Sequence, residues 1–200
     1  IAPKIYENDY IDCLVDYCKI HKIDAIMSLF DIDLVVLGSS EKRFEEIGVN
    51  LIHAPLKTLK ICNDKWLTYK FSQEINIATP KTYISMEDAL KEIESKRVYY
   101  PLIIKPRFGM GSIGLYTVNK EKVEMRSGET DLGLTVDNAR FIDLAKKISQ
   151  ATKHKGIMSV DILADETGTL NLLEMNCRIS GHYPVAHCAG VNYPKQFIEW

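Results

Sequence analysis

Leu170 to Pro184, LNLLEMNCRISGHYP, is the stretch on which the reading of this chain turns. It alternates as a strand does. Leu170, Leu172, Glu174, Asn176 and Arg178 fall on one side, and Asn171, Leu173, Met175 and Cys177 on the other. An acid, an amide and a guanidinium therefore point the same way, each about 6.6 Å from the next. Polar heads gathered on one face cost several kcal/mol to bury unless something pairs with them. A hard cation carrying an anionic ligand would pair with all three: Glu and Asn give oxygens to the cation, and Arg gives donors to the anion.

The segment before it points the same way. Gly156 to Ala164, GIMSVDILA, reads as the partner strand, and Asp165-Glu166-Thr167-Gly168 as the turn. A loop symmetric about Glu166 and Thr167 sets Ala164 opposite Thr169 and Asp161 opposite Leu172, diagonal to Glu174. Diagonal neighbours lie about 7–8 Å apart, within reach of one or two bridging cations. The hairpin thus predicts Asp161, Glu174 and Asn176 as oxygen ligands, with Arg178 beside them. The competing reading is a half-exposed hairpin with an ordinary polar face.

Composition sets the outer bounds. The 200 residues are 46% hydrophobic and 26% charged, which suits a soluble globular chain in one large or two small domains. A net charge of −2 without long basic runs speaks against a nucleic-acid footprint. No apolar run is long enough for a membrane span, and the five cysteines show no CxxC pair. Reduced thiols in a cytoplasmic protein are expected. Ile1 opens without Met, and Trp200 stops within the apparent helix YPKQFIEW, as in a piece of a longer chain.

Taken in order, Tyr10 to Ile20 has helical spacing, with Asn8 or Asp9 as its cap. Asp24 to Phe30 reads as a buried strand, Leu34 to Ile47 as a helix stopped by Gly48, and Val49 to His53 as a second strand. That order suggests part of a doubly wound parallel sheet. Asp31 and Asp33 read as helix-capping residues. Asn63 or Asp64 caps the next helix, whose first turn carries Lys65 against the helix dipole. Lys81 to Ile84 reads as a short strand, and Ser85 with Asp88 opens an amphipathic helix. Tyr100 to Pro106 is a strand closed by Lys105, followed by Phe108-Gly-Met-Gly-Ser-Ile-Gly114 and the strand LYTV. This glycine loop leads to a strand and lacks GK[ST], so it is neither a P-loop nor a dinucleotide turn. Such a flap can still bring backbone N–H groups onto phosphate oxygens, and Lys105 suits the same partner. The charged run Lys120 to Asp131, with Arg126 and Glu129, reads as a solvated turn. Phe141 to Ala151 reads as a helix; His182 and His187 read as loop residues, with Pro184 speaking against a helix there.

The segments NDKWLTYKF, PLIIKPRFGMGSIG, MRSGETD and SVDILAD…LLEMNCRISGHYPV, in that order over Asn63 to Val185, resemble the ATP-grasp superfamily, most closely its carbamoyl-phosphate-synthase-large-chain-like branch. The resemblance implies an α/β protein: an ATP-grasp fold at 61–200 preceded by part of a doubly wound domain at 1–60. A glycine-loop subdomain would span about 80–120, and a catalytic subdomain 124–200. It also implies ATP and magnesium, or manganese in its place. Lys65 and Lys105 would bind phosphates under a flap of Gly109, Gly111, Ser112 and Gly114. Asp161, Glu174 and Asn176 would hold the metal, and Arg178 would stabilise the transferred phosphoryl group. In the family a longer segment, which carries the adenine- and ribose-reading groups, separates the strand after the glycine loop from the MRSGET-like piece. Here only Val118 to Val123 lies between them, so residues are expected to be missing near 119–123.

The expected activity is ligation of a small-molecule carboxylate to an amine or ammonia through an acyl phosphate, without nucleic-acid or membrane partners and with self-association left open. The rival is an ATP-binding regulatory or assembly module without turnover. The intact Asp161–Glu174–Asn176–Arg178 set favours the ligase, because holding a nucleotide does not require Arg178.

Overall fold

The computed structural model describes residues 3–120, 122–126, 135–136 and 139–199, with the backbone alone at Val123, Met125 and Arg126. Glu129 and the Arg126 side chain therefore lie outside the described residues. The class is α/β, and its elements serve to bring two hairpins and a helix start together.

The first unit begins with α1 (Tyr10–His21), which buries Val15 and Cys18. Two short parallel strands follow, β1 (Ala25–Ile26) and β2 (Asn50–Leu51), paired Ala25 to Asn50 and Ile26 to Leu51. Both are shorter than their apolar runs suggested. The helix expected over 34–47 is two: α2 (Asp31–Ser39) and α3 (Glu41–Glu45). The break has a local cause. Ser39 donates its hydroxyl to the Val35 carbonyl at 2.7 Å, a back-bond that bends helices. Just before it, Gly38 lets α2 approach its neighbour, since a Cβ there would sit 2.9 Å from Leu59 Cδ1. That neighbour is α4 (Leu56–Asn63), which was not anticipated; it follows Pro55 and buries Thr58, Leu59 and Cys62. Asp31 and Asp33 do not cap α2, which makes no side-chain cap bond at Phe30. Asp33 instead accepts from the Tyr10 hydroxyl at 2.7 Å.

Next comes α5 (Lys65–Glu74), capped as expected by Asp64, which accepts from the backbone of Trp66 and Leu67. No strand forms over 81–84. Ser85 caps α6 (Met86–Glu94) through the Asp88 N–H. An antiparallel sheet carries the glycine loop: β3 (Leu102–Ile104), β4 (Leu115–Val118) and β5 (Val123–Arg126), in that spatial order. Val118 faces Val123, and the Asn119 N–H meets the Lys122 carbonyl at 2.8 Å, so β4 and β5 form a closed hairpin.

A short 3-10 turn at Ala139–Phe141 precedes α7 (Ile142–Thr152). The hairpin read first is β6 (Ser159–Ala164) and β7 (Leu170–Asn176). Its loop is odd, not even. Asp165 and Thr169 face each other across Glu166-Thr167-Gly168, with the Gly168 N–H on the Asp165 carbonyl and Gly168 at φ +84°. A turn closed by a left-handed glycine produces this loop length. Ala164 therefore pairs with Leu170 rather than Thr169. A bulge between Asp161 and Ile162 then shifts the register by one more residue, leaving Leu173 without a partner and Asp161 directly opposite Glu174. The bulge also turns Leu172 away from the polar face, to lie fully buried with Met175.

Two further helices end the chain, α8 (Tyr183–Cys188) and α9 (Tyr193–Ile198). Thus His182 precedes a helix and His187 lies within one, bonded to the Tyr183 hydroxyl. Pro184 is compatible because it occupies the first turn, where no N–H is needed.

One core joins early and late segments: Leu34, Ala54, Leu59 and Phe71 pack in the same cluster as Ile148, Leu172, Met175 and Cys177. A second, around Phe44, holds α1, α2 and β2 together. All five cysteines are free thiols. Cys62 and Cys177 lie 3.5 Å apart; that contact and burial push the Cys62 thiol far up, so it stays protonated and unreactive. Among the described residues no helix is long and apolar enough to cross a membrane.

Candidate functional site

Alternation along β7, restarted by the bulge, puts Glu174 and Asn176 on one face, while β6 supplies Asp161 opposite Glu174 and Ser159 opposite Asn176. The start of α5 meets this face. Lys65 Nζ is 3.4 Å from Glu174 Oε1 and donates to the Gly109 carbonyl at 2.7 Å. One ammonium thus touches both the β7 acid and the glycine loop. Its place in the first turn costs a few tenths of a kcal/mol against the helix dipole, and these two acceptors offset that.

Lys105, just beyond β3, is the second cation. Burial of its ammonium pushes its pKa below the usual lysine range; Glu174 and Asp161 pull the other way, and Lys65 adds to the depression. So Lys65, Lys105, Asp161 and Glu174 lie within electrostatic reach of one another. Two ammonium groups thus meet two carboxylates, a charge-matched set in which each lysine has an acid within reach.

The loop itself is built for close approach. Gly111 and Gly114 have φ of +64° and +72°, and a Cβ at Gly114 would meet the Pro106 ring at 3.0 Å. Ser112 adopts the same left-handed conformation at φ +56°, a strained choice for a non-glycine residue.

Arg178 is placed differently from the expectation. Its Nε donates to Asp31 Oδ2 at 2.8 Å and its Nη1 to the Ile179 carbonyl at 3.3 Å. Both partners of the ion pair are largely buried, with side chains 18% and 12% exposed. The pair ties the end of β7 to the start of α2, and it gives Asp31 a role that local sequence did not show.

Sequence reasoning also missed Asp64 and Arg107 as a pair. Arg107 donates Nε to Asp64 Oδ1 at 2.8 Å and Nη2 to Oδ2 at 2.6 Å. The guanidinium holds the Asp64 carboxyl below the usual carboxylate range. An arginine following KP at the mouth of a glycine loop was the available signal.

Among the described residues no group of three His, Cys, Asp or Glu side chains converges on a metal position. Asp161, Glu174 and Asn176 offer two carboxylates and an amide, all oxygen. That set fits magnesium, which is commonly held by one or two carboxylates, with phosphates and water completing the shell.

The glycine loop on its strand pair lies against an acid-bearing hairpin, with Lys65 bonded to both, and over these residues the chain matches ATP-grasp family models. Two family models, "ATP-grasp domain" at residues 62–132 and "ATP-grasp in the biosynthetic pathway with Ter operon" at 114–200, together span the second unit. The model "PylC-like, N-terminal domain" matches residues 1–52. Among its relatives is the carbamoyl phosphate synthase arginine-specific large chain of Cutaneotrichosporon cutaneum, 32% identical over 40% of this chain and 7% of that one. The D-alanine–D-alanine ligase of Wolbachia pipientis is 26% identical over 48% of this chain and 30% of its own. The chain therefore spans less than a third of either relative. A biotin carboxylase complex from Campylobacter jejuni superposes with a TM-score of 0.73 at 16% identity, over 96% of this chain and 58% of that one, which shows the shared fold.

Proposed function

We propose that the chain carries the phosphate- and metal-binding part of an ATP-dependent ligase that joins a small-molecule carboxylate to an amine. The observation that carries this reading is Lys65 shared between Glu174 and the Gly109 carbonyl, with half-buried Lys105 near enough to interact with Lys65, Glu174 and Asp161. We place the unit boundary near residue 60, in the interval between the family matches that end at 52 and begin at 62.

In this reading Lys65 and Lys105 neutralise the triphosphate of ATP. Backbone N–H groups of Gly109, Gly111, Ser112 and Gly114 close over it. Asp161, Glu174 and Asn176 hold magnesium, or manganese in its place, which when bound offsets charge on the phosphates. A substrate carboxylate oxygen attacks the γ-phosphorus, forming one O–P bond as the bond to ADP breaks. An amine then attacks the acyl carbon and expels phosphate. Arg178 steadies the charge that develops on the moving phosphoryl group, which requires its guanidinium to turn towards Glu174 while Asp31 anchors its other edge. The chain does this chiefly by positioning and charge neutralisation. The free thiols suit a reducing compartment such as the cytoplasm.

One observation favours a second reading, an ATP-binding regulatory or assembly module without turnover. Arg178, the side chain that only the ligase needs, is held in a largely buried pair with Asp31. Melting curves and ADP release separate the readings. Magnesium with ATP is expected to raise the melting temperature, and ATP with chelator is not. ADP should appear only when a carboxylate and an amine are supplied together. A magnesium-dependent shift without turnover over a broad panel would favour the module, and no shift at all would sink both readings.

A further inference from the structure

The Asp64 carboxylate receives four donors: the backbone N–H groups of Trp66 and Leu67 at 3.0 and 3.3 Å, and Arg107 Nε and Nη2 at 2.8 and 2.6 Å. Its side chain is 5% exposed, whereas that of Arg107 is 43% exposed. One buried acid therefore does two jobs. It caps the helix that presents Lys65, and it grips the residue that opens the glycine loop. The two segments are bound twice more, by the Lys65 N–H on the Arg107 carbonyl at 3.1 Å and by Lys65 Nζ on the Gly109 carbonyl at 2.7 Å. Capping alone needs no arginine. Nor does an exposed arginine need a buried acid, so the forked pair has a purpose beyond solubility.

We propose that Arg107 is a positioning residue: its forked bond to Asp64 fixes the glycine loop against the start of α5, so that Lys65 and the loop N–H groups present one preformed anion cradle. This rests on the phosphate-binding reading for its purpose, but not for the mechanical link. Holding the loop before the anion arrives removes an ordering cost from binding. Lysine is a poor substitute for arginine here, because an ammonium lacks the planar fork that gives each carboxylate oxygen its own parallel N–H.

The test uses the full chain and the variants Arg107→Gln and Arg107→Lys, both at a half-exposed position that leaves the Asp64 cap intact. Backbone 15N relaxation is read at Gly109, Gly111 and Gly114, and amide exchange at Lys65. In the wild type the glycine order parameters should be near those of rigid backbone, about 0.8, and in both variants they should fall towards about 0.6. Lys65 amide exchange should rise about tenfold or more, while amides deep in α5 stay unchanged. Titration with magnesium and ADP should then show roughly tenfold weaker binding in both variants. Unchanged glycine dynamics in Arg107→Gln, or full recovery of rigidity in Arg107→Lys, would overturn the proposal. Failure of the wild type to bind the nucleotide would count against the proposed function, with the loop measurement still deciding the link.

Discussion

Desolvation of the Lys105 ammonium opposes its charged form in the free protein, and under the proposed function a bound phosphate would offset that. The pKa of Lys105 therefore lies below the ordinary value of 10.5. Between the folded and unfolded pKa the unfolded chain binds more protons, and stability should rise with pH across that window. Lys105→Met is expected to raise stability at pH 7 by about 1 kcal/mol, to flatten that rise, and to abolish nucleotide-induced stabilisation. Urea denaturation at neutral and mildly alkaline pH checks the first two; a less stable Lys105→Met at pH 7 would contradict the assignment. The pair of Arg178 and Asp31 behaves differently. Either Asp31→Asn or Arg178→Gln should cost about 1–3 kcal/mol, because each leaves a buried partner unmatched. The double variant should cost less than the sum by about 1 kcal/mol in a double-mutant cycle. Turnover in Arg178→Ala should fall at least about 100-fold if the guanidinium steadies developing charge. Neither this pair, 147 residues apart, nor Asp64 with Arg107, 43 apart, could be read from local pattern. Alternation and capping rules see neighbours along the chain, and a charge names no distant partner.

At the scale of elements, α1 was legible from spacing alone, since Asp9 makes no side-chain cap bond. Helices α5 and α6 were legible from spacing and from their Asp64 and Ser85 caps, all local signals. The shared face of Asp161 and Glu174 was legible too, though by a route that the structure corrects. A three-residue loop and a bulge each shifted the pairing by one residue, and together they restored the parity that an even loop without a bulge would have had. The error showed only at Leu172, which lies in the core. This has a measurable consequence. Leu172→Ala should cost about 2–5 kcal/mol, whereas Leu173→Ala, at the bulge, should cost roughly 1 kcal/mol. A regular strand would reverse that order, and chemical denaturation of the two variants distinguishes them. The split of α2 from α3, the helix α4 and the helix around His187 escaped sequence reading for another reason. Each depends on a back-bond, a close glycine contact or a first-turn proline, which weigh little in any periodicity.

Over the whole molecule, among the described residues, one of the two cores is common to the early and late segments, while the core around Phe44 belongs to the early segment alone. Leu34 and Ala54 share a cluster with Leu172 and Met175, Thr58 donates to the Thr152 carbonyl, and Arg178 reaches Asp31. The chain should therefore unfold in one cooperative step, with far-UV dichroism and fluorescence transitions coinciding. Two resolved transitions would show that residues 1–60 melt on their own. The joining of Lys65 with Glu174 also bears on synthesis. On the ribosome the early lysine and the apolar face of α4 emerge long before the strand that completes them. Until β7 is made, the nascent protein must carry an uncovered sticky surface and a cation without its acid, which makes the interval before the final hairpin the time when chaperones have most to protect.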